Sequence, residues 1–508
     1  MELARLAITS RQLAATRSRT TKRELIATVL RDTGSDELET VVSYLSGTLP
    51  QRRTGIGWSA LDSLPTPADQ ASLSVADVHA SFERISAIGG PGSAALRNVA
   101  VHELFARATA SEQDYLRGLV FDELRQGALD SLVQDGLAEA HGLPAAAIRR
   151  AAMLLGSTAA AATVIARDGP AGLDAVRLQV GLPVRPMLAA SAPDPDVALA
   201  RKSLPVLVDV KLDGIRVQVH RDGSSVGVWT RSLEDITDRV PEVVEAVLDL
   251  PVERVVLDAE VLALGAEGRP APFQAIAART ASRVDVAAGR IRTPLSLFCF
   301  DLLHADGLDL LDAPLDRRAA VMAQLLPEAL VVPRVVAIDS EQVAEVFADA
   351  VDRGFEGIVV KDLQAPYAAG RRDAAWVKVK PRHTFDLAVT AAEWGHGRRH
   401  GLLSNLHLAA RDPATGELVM LGKTFKGLTD EILAWQTQAL LAREVRRTAG
   451  TVHVDPPLVV EIACDGIQTS SRYPGGVTLR FARVLRYRED KSAAEVDTLD
   501  SVIRLTGS

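Results

Sequence analysis

The hydrophobic period of the chain changes near residue 190, and no single layer of structure accommodates both halves. Up to about Gly181, alanine and leucine recur at helical spacing, as in VAVHELFARA and YLRGLVFDELRQGALDSLVQDGLAEA, the pattern of amphipathic helices. From Val206 onward, valine-rich segments alternate apolar and polar residues: VLVDVKL, GIRVQVHRDG, VGVWTRS, ERVVLDAEVLAL, LSLFCFDLL, EGIVVKD and WVKVK. That is the two-residue period of strands. Between the halves, Pro183, Pro186, Pro193 and Pro195 make a continuous helix untenable, because proline lacks the amide donor and clashes with the preceding turn. This passage is predicted to be a linker.

Helical stretches such as VPEVVEAVLDL and RRAAVMAQLLPEAL interrupt the strands up to about Lys380, which predicts a mixed α+β domain. After Pro381-Arg382-His383 come further short strands, DLAVTAAEWG, SNLHLAARD, ELVMLGKTF and PPLVVEIACD, with one helix in DEILAWQTQALLAREV. A small β-barrel fits this last part. At about 100–200 residues per domain, 508 residues make about three. The predicted domains are therefore 1–182, all-α; 183–382, α+β; and 383–508, barrel.

Composition removes several function classes. Hydrophobic residues are 47% and charged residues 24% of the chain, as in folded globular proteins rather than disordered ones. No run approaches the ~18 apolar residues of a membrane span, and MELARLAITSRQ has no apolar block of signal-peptide type; a cytoplasmic location is expected. Cys299 and Cys464 each sit in an apolar run, so both are predicted to be buried strand residues, and two cysteines cannot form a four-cysteine zinc site. The formal charge of −8 excludes a protein that coats nucleic acid through bulk electrostatics. Any such contact needs local basic patches.

Lys211 opens the run KLDGIR, and Asp213-Gly214 places it at a strand end, beside a turn that glycine enters cheaply. Taken alone, a lysine at a turn is usually solvated surface. Its companions change that. Downstream lie Thr230-Arg231-Ser232, Leu257-Asp258-Ala259-Glu260, Phe300-Asp301, EGIVVK from Glu356 to Lys361, WVKVKP from Trp376 to Pro381, and RFARVLRYREDK from Arg480 to Lys491. In content and order these elements resemble the ATP-dependent DNA ligases of the covalent nucleotidyltransferase superfamily, in the bacterial three-domain form. Ala482 and Val484 stand where that family usually has proline and phenylalanine.

The resemblance implies a helical DNA-binding domain, a nucleotidyltransferase (adenylation) domain and an OB-fold domain. It implies that Lys211 takes AMP from ATP with magnesium, and that the monomeric enzyme seals nicks in double-stranded DNA during replication, recombination or repair. ATP contacts carried over are Asp209, where the family more often has glutamate and the adenine is recognised, together with Arg216, Arg231, Glu260, Phe300, Arg372, Lys378 and Lys380. Arg371 is an immediate rival to Arg372. Glu260 and Glu356 are the implied metal ligands, and Arg486, Arg488 and Lys491 the implied group that orients pyrophosphate when the last domain closes. LSGTLPQRRTGIGW, IGGPGSAALRNVAVHELF and FDELRQGA resemble the family's helical DNA-binding domain.

Each role has a physical reason beside a plainer alternative. A lysine attacks phosphorus only as the neutral amine. Lys378 and Lys380 alternate with Val379, so they share one strand face, from which they can repel a neighbouring ammonium and hold phosphate oxygens; two exposed lysines on an amphipathic strand is the plainer reading. Glu260 and Glu356 adjoin apolar runs, a costly position unless they are paired or bind metal. Phe300, by periodicity alone, is core; the family stacks adenine there. Residues 480–491 carry an excess of three positive charges, which a merely solvated face would also explain. An RNA ligase or capping guanylyltransferase would use the same lysine, whereas the first 180 residues and LRYREDK favour DNA ligases. NAD-dependent ligases require the cysteine zinc site missing here. A nick-binding protein without activity would have no need of Lys211 and its partners.

Overall fold

The computed structural model describes residues 1–504 except 52–53, 62, 128–129, 266–267, 369–371, 397–398 and 449, with the side chains of 372–374 also outside the description. The first part is helical, as its period predicts: α1 Leu3–Ala15, α2 Arg19–Arg31, α3 Leu38–Leu45, α4 Val75–Ala87, α5 Ser93–Ala106, α6 Ala110–Val120, α7 Asp130–His141, α8 Ala145–Leu154 and α9 Thr158–Ala175. Capping boxes start α4 (Ser74 with Asp77) and α6 (Thr109 with Glu112), each satisfying two amides that the first turn leaves free. Gly169, at φ +63°, breaks α9 just before Pro170. The apolar faces close one core running from Leu3 to Leu173, with Tyr44, Phe82 and Phe105 fully buried.

Two five-stranded sheets follow, packed on a shared core. Their strands are β1 Leu188–Ala192, β2 Val206–Lys211, β3 Ile215–Asp222, β4 Ser225–Thr230, β5 Arg254–Leu262, β6 Ser296–Ala305, β7 Leu308–Asp309, β8 Arg334–Ala337, β9 Gly357–Asp362 and β10 Arg372–Val379. One sheet has the order β1-β10-β9-β2-β8, with β1 parallel to β10; the other has the order β4-β3-β5-β6-β7. The expected helices form at Pro241–Leu248 and Leu315–Leu325. The passage predicted to be a linker contains β1, an edge strand. Pro186 and Pro193 flank it, outside the ladder, where a missing amide costs nothing.

The last part is built on β11 His383–Trp394, β12 Leu403–Arg411, β13 Leu418–Thr424, β14 Glu444–Arg447, β15 Thr451–Cys464, β16 Gly466–Thr469, β17 Val477–Arg480 and β18 Arg483–Tyr487. Its main sheet runs β13-β12-β11-β15-β14, with β18 on the other half of β15, and β16–β17 form a separate ribbon. Backbone pairing among the described residues thus gives an open sheet domain. The helix expected in DEILAWQTQALLAREV stops at Leu441, because Glu444–Arg447 turns back to pair with β15. Cys299 and Cys464 are buried on β6 and β15, as expected.

A smaller apolar cluster joins the first two parts. Met153 and Leu154 of α8 meet Met187, Val256, Leu303, Tyr367 and Trp376. Arg150 forms a bidentate ion pair with Asp312 at 2.6 and 2.7 Å beside it. Among the described residues, no single helix is long and apolar enough to cross a membrane.

Candidate active site

A cleft of about 1140 Å³ opens between the two middle sheets and reaches the C-terminal sheet domain. It gathers Asp209, Lys211, Arg216, Glu260, Phe300 and Lys378 from five strands, Arg231 and Lys380 from just after β4 and β10, and Glu356 from just before β9. Lys211 ends β2 half-buried, and its Nζ is ion-paired with the Glu356 carboxylate. Lys380 pairs with the other oxygen of the same carboxylate and lies 3.6 Å from Asp465. Glu356 thus bridges two lysines. This is possible because β9 starts beside the end of β2, with the Glu356 amide donating to the Lys211 carbonyl at 3.0 Å.

Gly214 is required here for a reason other than the one the sequence suggests. It does not adopt the left-handed conformation; instead a Cβ on it would lie 2.3 Å from the Val261 carbonyl oxygen and 3.0 Å from Glu260 Cγ. The Lys211 turn therefore rests directly on β5, and the Gly214 amide donates to Glu260 at 3.2 Å. Burial pushes the Glu260 carboxyl up to about 7, against the pull of Lys211 and Arg216 and with Glu356 adding repulsion. Lys378 is shifted down, first by burial and then by the like charges of Lys380 and Lys211.

Phe300 and Asp209 form the inner end of the cleft. Phe300 meets Trp376 edge-on at 6.0 Å, and the Arg216 guanidinium lies 5.2 Å from its ring centre. Asp209 is 2% exposed, with Lys361 at 2.5 Å and Arg334 at 2.9 Å, both on Oδ2, while Oδ1 has no partner among the described residues. Arg216 lines the cleft, but its fork grips Asp258 at 2.9 and 2.6 Å, and Nη1 donates to the Met187 carbonyl at 2.7 Å. The Asp258 carboxylate also accepts from Tyr367 at 2.7 Å. Arg216 is thereby fixed as a pillar between linker and sheet.

Arg231 is exposed on the rim. Arg371 and the side chain of Arg372 lie outside the described residues. The cluster at the chain end is not over the cleft: Arg486 pairs with Glu461 at 2.6 Å, while Arg488 and Lys491 both pair with Asp386, at 2.9 and 2.6 Å. Lys426, Arg480, Phe481 and Arg483 face the cleft instead, and Arg480 reaches Asp213 of the KLDG turn at 2.8 Å. Asp258, Lys361 and Trp376 lie within the runs that carry the resemblance but have no role assigned from sequence, and Tyr367 and Arg334 lie outside those runs. For Asp258 a signal existed, since it shares a strand face with Glu260; Arg334 has none, lying 125 residues from its partner.

A lysine amine at the mouth of a cationic cleft, with carboxylates beside it and an aromatic inner end, on this pair of sheets, defines a nucleotidyltransferase. Family models agree over most of the chain: the ATP dependent DNA ligase domain matches residues 186–380, the ATP dependent DNA ligase C terminal region 398–491, and the DNA ligase N terminus 59–138. A probable DNA ligase of Nocardioides sp. is 59% identical over 99% of both chains, and DNA ligase B of Mycobacterium tuberculosis is 51% identical over 98% of both. The solved structure "Pmar-Lig_Pre." shares the fold, with a TM-score of 0.64 at 19% identity over 95% of this chain and 99% of that one. The chain belongs to the ATP-dependent DNA ligase family. The activity of that family is sealing nicks in DNA with ATP, through an adenylate intermediate.

Proposed function

We propose that Lys211 is the residue that carries AMP in this chain. Its Nζ attacks the α-phosphorus of ATP, the bond to the β-phosphate breaks, and pyrophosphate leaves. AMP then passes to the 5′-phosphate of a nick, and attack by the 3′-hydroxyl joins the strand and frees AMP. The observation that supports this reading is the contact between Lys211 and Glu356 inside the cleft, which places an acceptor for the ammonium proton on the nucleophile itself.

The cleft suits ATP. Oδ1 of Asp209, unpartnered among the described residues, offers an acceptor beside Phe300, the stacking surface for a base, and Lys378 and Lys380 supply positive charge for the phosphates. Glu260 and Glu356 would hold magnesium, although among the described residues no group of three or more metal-binding side chains gathers; a cation bound mainly by water and phosphate oxygens needs few protein ligands. It would supply neutralisation of charge on the phosphate oxygens. Arg486, Arg488 and Lys491 would act on the leaving group only after the last domain turns, because here they face Asp386 and Glu461.

The same reading assigns 1–182 to DNA binding, 183–382 to adenylation and 383–508 to an OB-type domain, in a cytoplasmic monomer acting on nicked duplex DNA. The test is covalent labelling with α-labelled ATP and magnesium. Label on the wild type and none on Lys211→Ala is expected; equal label on both would overturn the proposal.

A further inference from the structure

The inner end of the cleft contains a clamp that the nucleophile chemistry does not use. Arg334 lies on edge strand β8 directly opposite Asp209 of β2. Its Nη2 donates both to Asp209 Oδ2 and to the Phe300 carbonyl, each at 2.9 Å. Lys361 makes the same pair of contacts from β9, 2.5 Å to Asp209 Oδ2 and 3.2 Å to the Phe300 carbonyl. Two cations from opposite sides therefore tie one carboxylate oxygen to the backbone of the aromatic residue. Among the described residues, the other oxygen, Oδ1, is buried without a donor. A buried carboxylate oxygen left bare is unfavourable until a donor reaches it, and Asp209 lines the cleft beside Phe300.

We infer that Arg334 is a positioning residue for base selection: with Lys361 it occupies Oδ2 of Asp209, reserving Oδ1 for the exocyclic amine of a 6-aminopurine nucleotide. A 6-oxopurine would set its carbonyl oxygen against Oδ1, acceptor facing acceptor, and leave both without a proton. With Arg334 removed, Lys361 alone holds Oδ2, and the distance from Asp209 to Phe300 is less tightly fixed. Discrimination then falls even though neither base-contacting residue has changed. The inference rests on the reading of Phe300 and Asp209 as the base end of the site.

The experiment compares full-length wild type, Arg334→Met and Arg334→Lys in two assays. The first is single-turnover self-labelling with α-labelled ATP and GTP, giving kcat and KM for each. The second is thermal melting, which reports whether each variant keeps its fold. In Arg334→Met, KM for ATP should rise and the ATP-over-GTP preference in kcat/KM should fall about tenfold, the loss expected when one charged hydrogen-bond partner is removed. Both variants should melt as one folded species, and Arg334→Lys should recover part of the preference. A preference unchanged in both variants, or equal losses with ATP and GTP, would overturn the inference and leave Arg334 as support for an edge strand. A wild type labelled by neither nucleotide would instead overturn the lysyl–AMP reading.

Discussion

Replacing Gly214 with alanine tests whether the cleft depends on the close seat of the Lys211 turn. The new Cβ would stand 2.3 Å from the Val261 carbonyl oxygen, about 1 Å short of ordinary contact, and 3.0 Å from Glu260 Cγ. The nearest atom belongs to the backbone of β5, which is paired on both edges and cannot swing aside as a side chain would. Relief therefore requires the turn and β5 to part by about 1 Å, at a cost of about 1–3 kcal/mol in stability. The same shift stretches the bond from the Gly214 amide to Glu260, now 3.2 Å, and moves Lys211 relative to Glu356. A displacement of this size in a reacting geometry lowers rates about 100-fold. Rapid-quench self-labelling with α-labelled ATP should show that drop in Gly214→Ala. Gly223→Ala is the control: its φ is +60° but nothing lies within 4 Å, so it should lose about 1 kcal/mol of stability with labelling unchanged. A folded Gly214→Ala chain that labels at the wild-type rate would refute the steric argument.

Glu356→Gln removes the shared counter-ion of Lys211 and Lys380, and self-labelling across a magnesium titration should fall at least about 100-fold; a wild-type rate would show that the bridge is incidental. Arg318, fully buried, grips Asp301 at 2.7 and 2.9 Å next to Phe300. Arg318→Met should destabilise the chain by about 3–5 kcal/mol in thermal melts, because it strands a buried carboxylate, and a change under 1 kcal/mol would contradict that. His220 accepts from the Gly181 amide at 2.9 Å, and burial pushes its pKa down to about 3, with His304 adding to the shift. Its folded pKa lies below the ~6.5 of the unfolded chain, so its contribution is complete above pH 6.5 and is lost as pH falls from 6.5 toward 3. Urea melts should show a loss of about 2 kcal/mol between pH 6.5 and 5 that His220→Gln lacks; equal pH slopes would sink this assignment.

Local pattern determined much of this protein. The period of alanine and leucine specified a helical first part, and the alternation around Val208, Val217 and Leu257 specified β2, β3 and β5, because a strand's period already says which side chains face the core. Lys211, Glu260, Phe300, Glu356 and Lys378 could be read as a set because each sits in a short run whose order along the chain matches a known family. Even there, the reason for Gly214 was hidden: what it must avoid is the carbonyl of Val261, 47 positions away and on another strand. The same holds for β1, which became a strand only because β10 offered it an edge.

What tertiary structure alone decided is which groups satisfy one another. Nothing near Asp209 announces Arg334 or Lys361, yet they determine which of its oxygens is free. Nothing in LRYREDK shows that Arg488 and Lys491 rest on Asp386 while Arg480 holds Asp213. Hydrogen bonds and ion pairs act over about 3 Å in space whatever the separation along the chain. A sequence therefore reports the chemical groups at Lys211, and the packing of three parts of the chain decides which of them meet there.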